Sequence, residues 1–458
     1  MLIDTHCHLD FEEFNLDRDE VLRRASEAGI RYIINIGSSK EGSLRSLELA
    51  STYENVFATI GVHPHHASTV DSGLVAFLKE KARSASSKVV AVGEVGLDYF
   101  RNESKKEDQT RAFHAFIELA KELSLPLIIH SRDAGEDTLA ILKEARVKKV
   151  VLHCFSNSET YLKQCLDMGF FVSFTCNLTY KNAYELRTVL KETPPERLML
   201  ETDAPYLPPQ DFRGRRNEPS YLVHLCRTIA DIYGLSFEDV ARITSLNAVH
   251  FFGLQDEELV QNKIAYKIRD SLYLNLTNRC TDNCDFCVRN FTDFVKGHNL
   301  RLLREPDAHE LIEAVGKSSP YKEIVFCGFG EPFLRLDIIV ETARLLKAQG
   351  VYIRIDTNGH GNLIHNRSVA KELAGLVDEV CVSLNAADAR TYFEICKPQF
   401  GPETFNKIIE FILECKKVLP KVSISCIDMP QVVDIKKCEE LAKELGVGFR
   451  KRHLNVVG

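Results

Sequence analysis

Across residues 1–254, short apolar runs alternate with amphipathic helical stretches, and this alternation is the strongest constraint on the fold. Strands are predicted at Leu2–Leu9, Tyr32–Gly37, Val56–Gly61, Val89–Glu94, Pro126–His130, Lys149–His153, Phe170–Thr175 and Leu198–Asp203. Each is followed by helix-like sequence such as Asp19–Ala28 or Gln109–Leu123. Eight βα repeats in about 250 residues fit a parallel (β/α)8 TIM barrel, because parallel strands need a crossover and a helix supplies it. The chain has 458 residues, too many for one ordinary domain. A second α/β series is predicted at Ser271–Leu276, Glu323–Cys327, Val351–Asp356, Glu379–Ser383, Lys421–Cys426 and Gly446–Arg450. Six strands are too few to close, so an open, partial (β/α)6 barrel is expected. The polar run 255–264 reads as a linker between a domain at 1–254 and one at 265–458.

The formal net charge of −7 gives no electrostatic signature for nucleic acid, which would have to be held by a local patch and by metal ions. The N-terminus lacks a basic region followed by a long apolar stretch, and no run approaches the about 18 apolar residues of a membrane span. With 14 cysteines in a chain of this size and no signal peptide, reduced thiols and a cytoplasmic location are expected.

Ligand-type side chains fall at the ends of the first series of strands. His6 and His8 leave strand one as an alternating pair pointing to one face. Glu94 ends strand four, His130 strand five, His153 strand six and Asp203 strand eight. Barrel active sites lie at that rim, so the six should converge. Four imidazoles and two carboxylates suit two divalent ions, and such a pair can clamp the attacking and leaving oxygens of a phosphodiester. His63, His66, His114, His224 and His250 read as structural or surface residues, and Cys7, Cys154 and Cys176 as small packing residues. The cluster Arg213–Arg216 reads equally as a solvated loop or as a phosphate-positioning group.

These residues lie in strings that resemble the TatD family of metal-dependent deoxyribonucleases: Ile3-Asp-Thr-His-Cys-His-Leu-Asp10, Gly61-Val-His-Pro-His65, Gly93-Glu-Val-Gly-Leu-Asp98, Leu127-Ile-Ile-His-Ser-Arg-Asp-Ala134, His153-Cys-Phe-Ser156, Glu201-Thr-Asp-Ala-Pro-Tyr206 and Arg213-Gly-Arg-Arg-Asn-Glu-Pro219. The resemblance covers essentially all of residues 1–254. It implies that His6, His8, Glu94, His130, His153 and Asp203 hold two divalent ions, Mg2+ with Mn2+ or Zn2+ as alternatives. It further implies that Glu94 bridges them, that Asp203 helps deprotonate the attacking water, and that His65 contacts substrate phosphate. Asp98 and Asp4 read as supports of those ligands.

In the second series the run Cys280-Thr-Asp-Asn-Cys284-Asp-Phe-Cys287 can hold three corners of a four-iron cluster and leave one iron open, with a zinc site as the rival reading. The later strand ends argue against zinc. Cys327-Gly-Phe-Gly-Glu-Pro332 carries Gly328 and Gly330, which let backbone approach a ligand, and Glu331, which can face its amino group. Asp356-Thr-Asn-Gly359 and Ser383-Leu-Asn385 place polar side chains beside the same cavity. Residues 268–458 resemble the radical SAM superfamily, particularly its activating-enzyme-like members, although Phe329 departs from the commoner Gly-Gly-Glu. The resemblance implies a [4Fe–4S] cluster on Cys280, Cys284 and Cys287 and S-adenosylmethionine on the open iron. Reductive cleavage would then give a 5′-deoxyadenosyl radical, with Glu331 on the methionine amine and Asn358 and Ser383 on ribose or carboxylate. A reductant such as flavodoxin or ferredoxin is implied. Cys381, Cys396, Cys415, Cys426 and Cys438 are too widely spaced to suggest a second cluster and read as core or surface thiols.

The expected function is bifunctional: hydrolysis of phosphodiester bonds in nucleic acid joined to radical chemistry. The alternatives are a barrel that hydrolyses a small ester or amide, or one that only delivers nucleic acid to the radical domain. No membrane association is expected.

Overall fold

Runs such as Val89-Val-Ala-Val92 and Leu127-Ile-Ile129 offer no polar face to water, so they form strands buried on both sides of a parallel sheet. In the computed structural model, which describes residues 1–317 and 320–454, these runs belong to the first of two units, Met1–Asp256 and Glu257–Gly458. Each unit has its own hydrophobic core. Among the described residues no helix is long and apolar enough to cross a membrane.

The first unit carries eight parallel strands: Leu2–Cys7 (β1), Ile30–Asn35 (β2), Val56–Ile60 (β3), Val89–Asp98 (β4), Leu127–Arg132 (β5), Val150–Leu152 (β6), Phe171–Phe174 (β7) and Leu198–Leu200 (β8). They pair in sequence order, each with the next. At the seam the barrel is drawn together near its C-terminal rim. Asp203 N–H donates to His6 O at 2.9 Å, His8 N–H donates to Ala204 O at 2.8 Å, and Thr5 Oγ1 donates to Leu200 O at 3.0 Å. The seam therefore brings the two ends of this unit together at the candidate ligands.

The strand β4 runs four residues beyond the predicted end at Glu94. Its register on β5 shifts between Val92 and Val95, so one extra residue stands against β5 there. The shift places Glu94 in the barrel interior while Asp98 still reaches the rim. Gly96 holds φ +140, and a Cβ there would lie 2.0 Å from His130 O. We expect Gly96→Ala to destabilise the first unit by more than about 1 kcal/mol, because both the backbone conformation and the approach to β5 oppose a side chain. A lowered midpoint for that unit in denaturant melts would show it, and an unchanged midpoint would refute it.

In the second unit the strands are Ala265–Ile268 (β9), Ser271–Leu274 (β10), the short hairpin Phe294–Val295 (β11) and His298–Asn299 (β12), Glu323–Phe326 (β13), Ile353–Thr357 (β14), Glu379–Ser383 (β15), Lys421–Asp428 (β16) and Gly448–His453 (β17). The main sheet is ordered β17-β16-β15-β14-β13-β10-β9. All six expected strands are present and parallel, and β9 adds an antiparallel seventh at the edge. Residues expected as linker are partly structured: Glu257–Val260 is a short helix with Leu259 buried, and Asn262 bridges to Asn299. The last positions of the expected second domain, 455–458, lie outside the described residues.

Candidate metal centre and cysteine loop

Glu94 stands at the middle of the first site. Its Oε1 lies 2.8 Å from His130 Nδ1, 2.8 Å from His153 Nε2 and 3.5 Å from His63 Nε2. Its Oε2 lies 3.5 Å from His6 Nε2 and 4.0 Å from His8 Nε2. Asp203 Oδ1 faces His8 Nε2 at 3.4 Å and His6 Nε2 at 3.7 Å. All six expected ligands therefore converge.

Burial alone would raise the Glu94 carboxyl, but His153, His63 and His130 outweigh it and hold the group well below its ordinary range. Conversely, burial would lower His153, but Glu94 and Glu201 push it well above. Buried carboxylates here demand positive charge close by. Three donor sets lie with their atoms within 4.8 Å of one another: His6, His8 and Asp203; His6, Glu94 and His153; and His63, Glu94 and His130. Both ring nitrogens of His6 and Nδ1 of His8 and of His153 are buried without a hydrogen-bond partner. Orphaned buried donors and acceptors are costly, and metal coordination is one way to satisfy them. The residues thus fit divalent cations.

Around the ligands a shell of hydrogen bonds fixes their aim. Asp98 Oδ2 joins His65 Nε2 at 2.8 Å to His130 Nε2 at 3.2 Å. Asp4 accepts from the Thr202 hydroxyl at 2.6 Å and backbone at 2.9 Å, tying β1 to the segment before Asp203. The sequence assigns Glu201 and His63 no part in the metal site. Glu201 accepts from Cys154 N at 2.6 Å and Ser173 Oγ at 2.6 Å, and its Oε1 lies 3.5 Å from His153 Nδ1. Its carboxylate faces the His153 ring as a nearby negative charge, and Glu201→Gln is expected to weaken metal binding about 10- to 100-fold. Isothermal titration with Mn2+ tests this, and unchanged affinity would contradict it. His63, read from the sequence as structural, faces Glu94; it follows β3 as His153 follows β6, and that position was the available signal. His65 sits on Asp98, one step further out. Cys7 is buried with its thiol 3.8 Å from Ala204 O, in keeping with packing. Arg216 is occupied elsewhere: it pairs with Asp17 at 2.7 Å and lies over the Phe14 ring. Beside the rim a groove of about 920 Å3 is lined by Ser156, Asn177, Tyr180 and Tyr184.

In the second unit the cysteine loop follows β10. Cys280, Cys284 and Cys287 are free and half-buried. The loop is braced by the segment after β15: Asn283 N donates to Cys396 O at 3.0 Å, Asp285 N to Ile395 O at 3.2 Å and Gln399 N to Thr281 O at 3.0 Å. Burial, then Glu331, push the Cys280 thiol up to about 12, so a thiolate there needs the charge of a bound metal. Three free thiols presented on one loop fit an iron–sulfur cluster with an open iron.

The glycine–glutamate turn packs closely against the loop after β10. A Cβ on Gly328 would lie 2.1 Å from Asn275 Oδ1, and one on Gly330 would lie 2.0 Å from Arg279 O. The room the glycines leave is filled by the β10 loop of this same chain. Glu331 is buried, and its carboxylate accepts from Phe333 N at 3.0 Å, Thr357 Oγ1 at 2.7 Å and Asn358 N at 2.7 Å. It ties β13 to β14. Asn358 does reach the cysteine loop, donating to Thr281 Oγ1 at 2.9 Å, with Cys280 Sγ 3.9 Å away. Ser383, half-buried at the end of β15, lies 3.5 Å from Ser425 Oγ. The remaining thiols Cys381, Cys396, Cys415, Cys426 and Cys438 are all buried.

A hydrolase-type metal centre on a parallel barrel, followed by a cysteine-loop α/β domain, is the class these two sites define. Residues 3–253 match the family described as TatD related DNase, and residues 274–445 match the Radical SAM superfamily. The chain belongs to the TatD related DNase family and carries a radical SAM domain behind its barrel. It is 42% identical over 254 residues to the uncharacterized metal-dependent hydrolase YabD of Bacillus subtilis (strain 168), covering 55% of this chain and 99% of that one. It is 41% identical over 263 residues to the 3'-5' ssDNA/RNA exonuclease TatD of Erwinia amylovora, covering 55% of this chain and 100% of that one. Among solved structures, the TatD homologue YJJV of Escherichia coli K12 aligns with a TM-score of 0.53 and 31% identity, over 56% of this chain and 98% of that chain. Both families are families of enzymes.

Proposed function

We propose that the first unit hydrolyses phosphodiester bonds of nucleic acid and that the second performs radical chemistry with S-adenosylmethionine. The single observation that carries the first reading is the convergence of five histidines on Glu94, with Asp203 beside them. Glu94 would bridge two cations, with His6, His8 and Asp203 completing one position and His130 and His153 the other. When bound, such a pair supplies Lewis-acid stabilisation of the phosphate and an activated water. Asp203 would serve as a proton acceptor beside the cations, and His65, held by Asp98, would contact a phosphate oxygen. Tyr180 and Tyr184 in the neighbouring groove offer faces on which unpaired bases can stack. That supports a single-stranded substrate, in line with the exonuclease relative. Four imidazoles against two carboxylates suit Zn2+ or Mn2+ better than Mg2+, which prefers oxygen.

Assay of the full chain on single-stranded DNA, RNA and small esters, with Mg2+, Mn2+ and Zn2+ in turn, tests the reading. Release of nucleotides is expected; turnover of esters alone would replace the substrate class.

For the second unit the three cysteines would hold a [4Fe–4S] cluster with S-adenosylmethionine on its open iron, which together supply hydrogen-atom abstraction once a reductant such as flavodoxin or ferredoxin delivers an electron. Asn358, which donates to Thr281 of the cysteine loop, and Ser383 would contact the cofactor. Glu331 holds the β14 end in place through Thr357 and Asn358.

A further inference from the structure

Arg289 lies two residues beyond Cys287 in the short turn Val288–Asn290. Its Nε donates to Cys287 Sγ at 3.2 Å, its Nη1 to Asn278 O at 3.1 Å and its Nη2 to Asp282 O at 3.4 Å. The guanidinium therefore lies across the loop, pinned at three points, with one N–H aimed at a ligand sulfur. Other donors toward these sulfurs are neutral: Asp282 N at 3.5 Å and Asn358 Nδ2 at 3.9 Å, both toward Cys280. Nearby Arg279 and Arg335 are neutralised by Glu305. Among the described residues no carboxylate forms an ion pair with Arg289, and its charge lies against Cys287 while also reaching the Asp282 carboxyl.

Adding an electron to a thiolate-bound cluster makes it more negative, and both hydrogen bonds to sulfur and nearby charge set the potential at which this happens. We propose that Arg289 is a positioning residue that raises the reduction potential of the cluster by donating to the Cys287 sulfur and placing a positive charge against the loop. It thereby makes the electron transfer that starts the chemistry easier for an ordinary cellular reductant. This rests on the reading of the three cysteines as a cluster site.

The test is anaerobic reconstitution of the full chain, of Arg289→Gln and of Arg289→Lys, with iron and sulfide content measured first. Each is then poised with redox dyes and read by electron paramagnetic resonance. The glutamine variant, loaded as the parent is, should show at least a tenfold lower reduced-to-oxidised ratio at a fixed poise, about 59 mV for a one-electron couple. The lysine variant keeps the charge and should stay within threefold of the parent. A glutamine variant within twofold of the parent, or a lysine variant shifted as far as glutamine, overturns the proposal. If the glutamine variant holds no iron, the lysine variant decides: within threefold supports the charge effect, and a tenfold fall refutes it. Absence of a reducible cluster in the parent would instead overturn the underlying cluster reading, an outcome distinct from a loaded parent with an inert Arg289.

Discussion

Glu94→Gln is expected to lower hydrolysis by the first unit on the order of 10³-fold and to cost at least one equivalent of bound metal. The carboxylate touches His130 and His153 at 2.8 Å and reaches His6, His8 and His63 within 4.0 Å, so it engages both halves of the site. The amide keeps the volume but removes the charge, and an amide cannot bridge two cations as a carboxylate can. The same charge pushes the buried His153 ring well above its ordinary range, so the variant also disturbs the electrostatics of the metal-free site. Metal analysis of purified protein and a nucleotide-release assay measure the two effects. Chelation of the parent should silence it reversibly, with activity returning on addition of a divalent cation. A variant within tenfold of the parent, with full metal content, would remove Glu94 from the mechanism.

A second large effect is expected at Cys284. Cys284→Ala should abolish the cluster and with it 5′-deoxyadenosine formation from S-adenosylmethionine and dithionite. The loop backbone should survive the change, because Asn283 and Asp285 on either side are anchored to Cys396 O and Ile395 O by main-chain hydrogen bonds. The two units have separate cores, so hydrolysis by the barrel should persist in the same preparation. Iron content, the visible cluster absorption and chromatography of 5′-deoxyadenosine test the first claim. Retention of iron at the parent's stoichiometry would mean that the three cysteines are not the ligand set.

The strands were legible in the sequence because a parallel strand buried on both faces must be apolar throughout, and the turn that follows must carry polar residues. That rule located every barrel strand and all six parallel strands of the second sheet. It missed β9, whose Ala265–Ile268 lies beside a polar run and pairs only as an edge. It also stopped β4 at Glu94, because Gly93 and Gly96 look like turn residues when their contacts with β5 are unseen.

The site shows the same division. Residue type and position at strand ends were enough to choose His6, His8, Glu94, His130, His153 and Asp203, since a barrel sends every strand end to one rim. His63 and Glu201 escaped, although both lie at strand ends, because neither spacing nor composition separates a residue that faces Glu94 from one that packs in a loop. The cysteine triplet was local and therefore readable, whereas the packing of Gly328 and Gly330 on the loop after β10 and the bond from Thr357 to Glu331 join residues far apart in the chain and were not.

The sequence by itself determined which elements form, their order, and the chemical types gathered at each strand end, because those follow from local periodicity and from spacing along the chain. Only the tertiary structure decided which side chains meet. The register shift that turns Glu94 inward, the Glu201 carboxylate that faces His153, and the anchoring of Arg289 on Asn278 and Asp282 all depend on atoms 7 to 48 positions apart in the chain that the fold alone brings together.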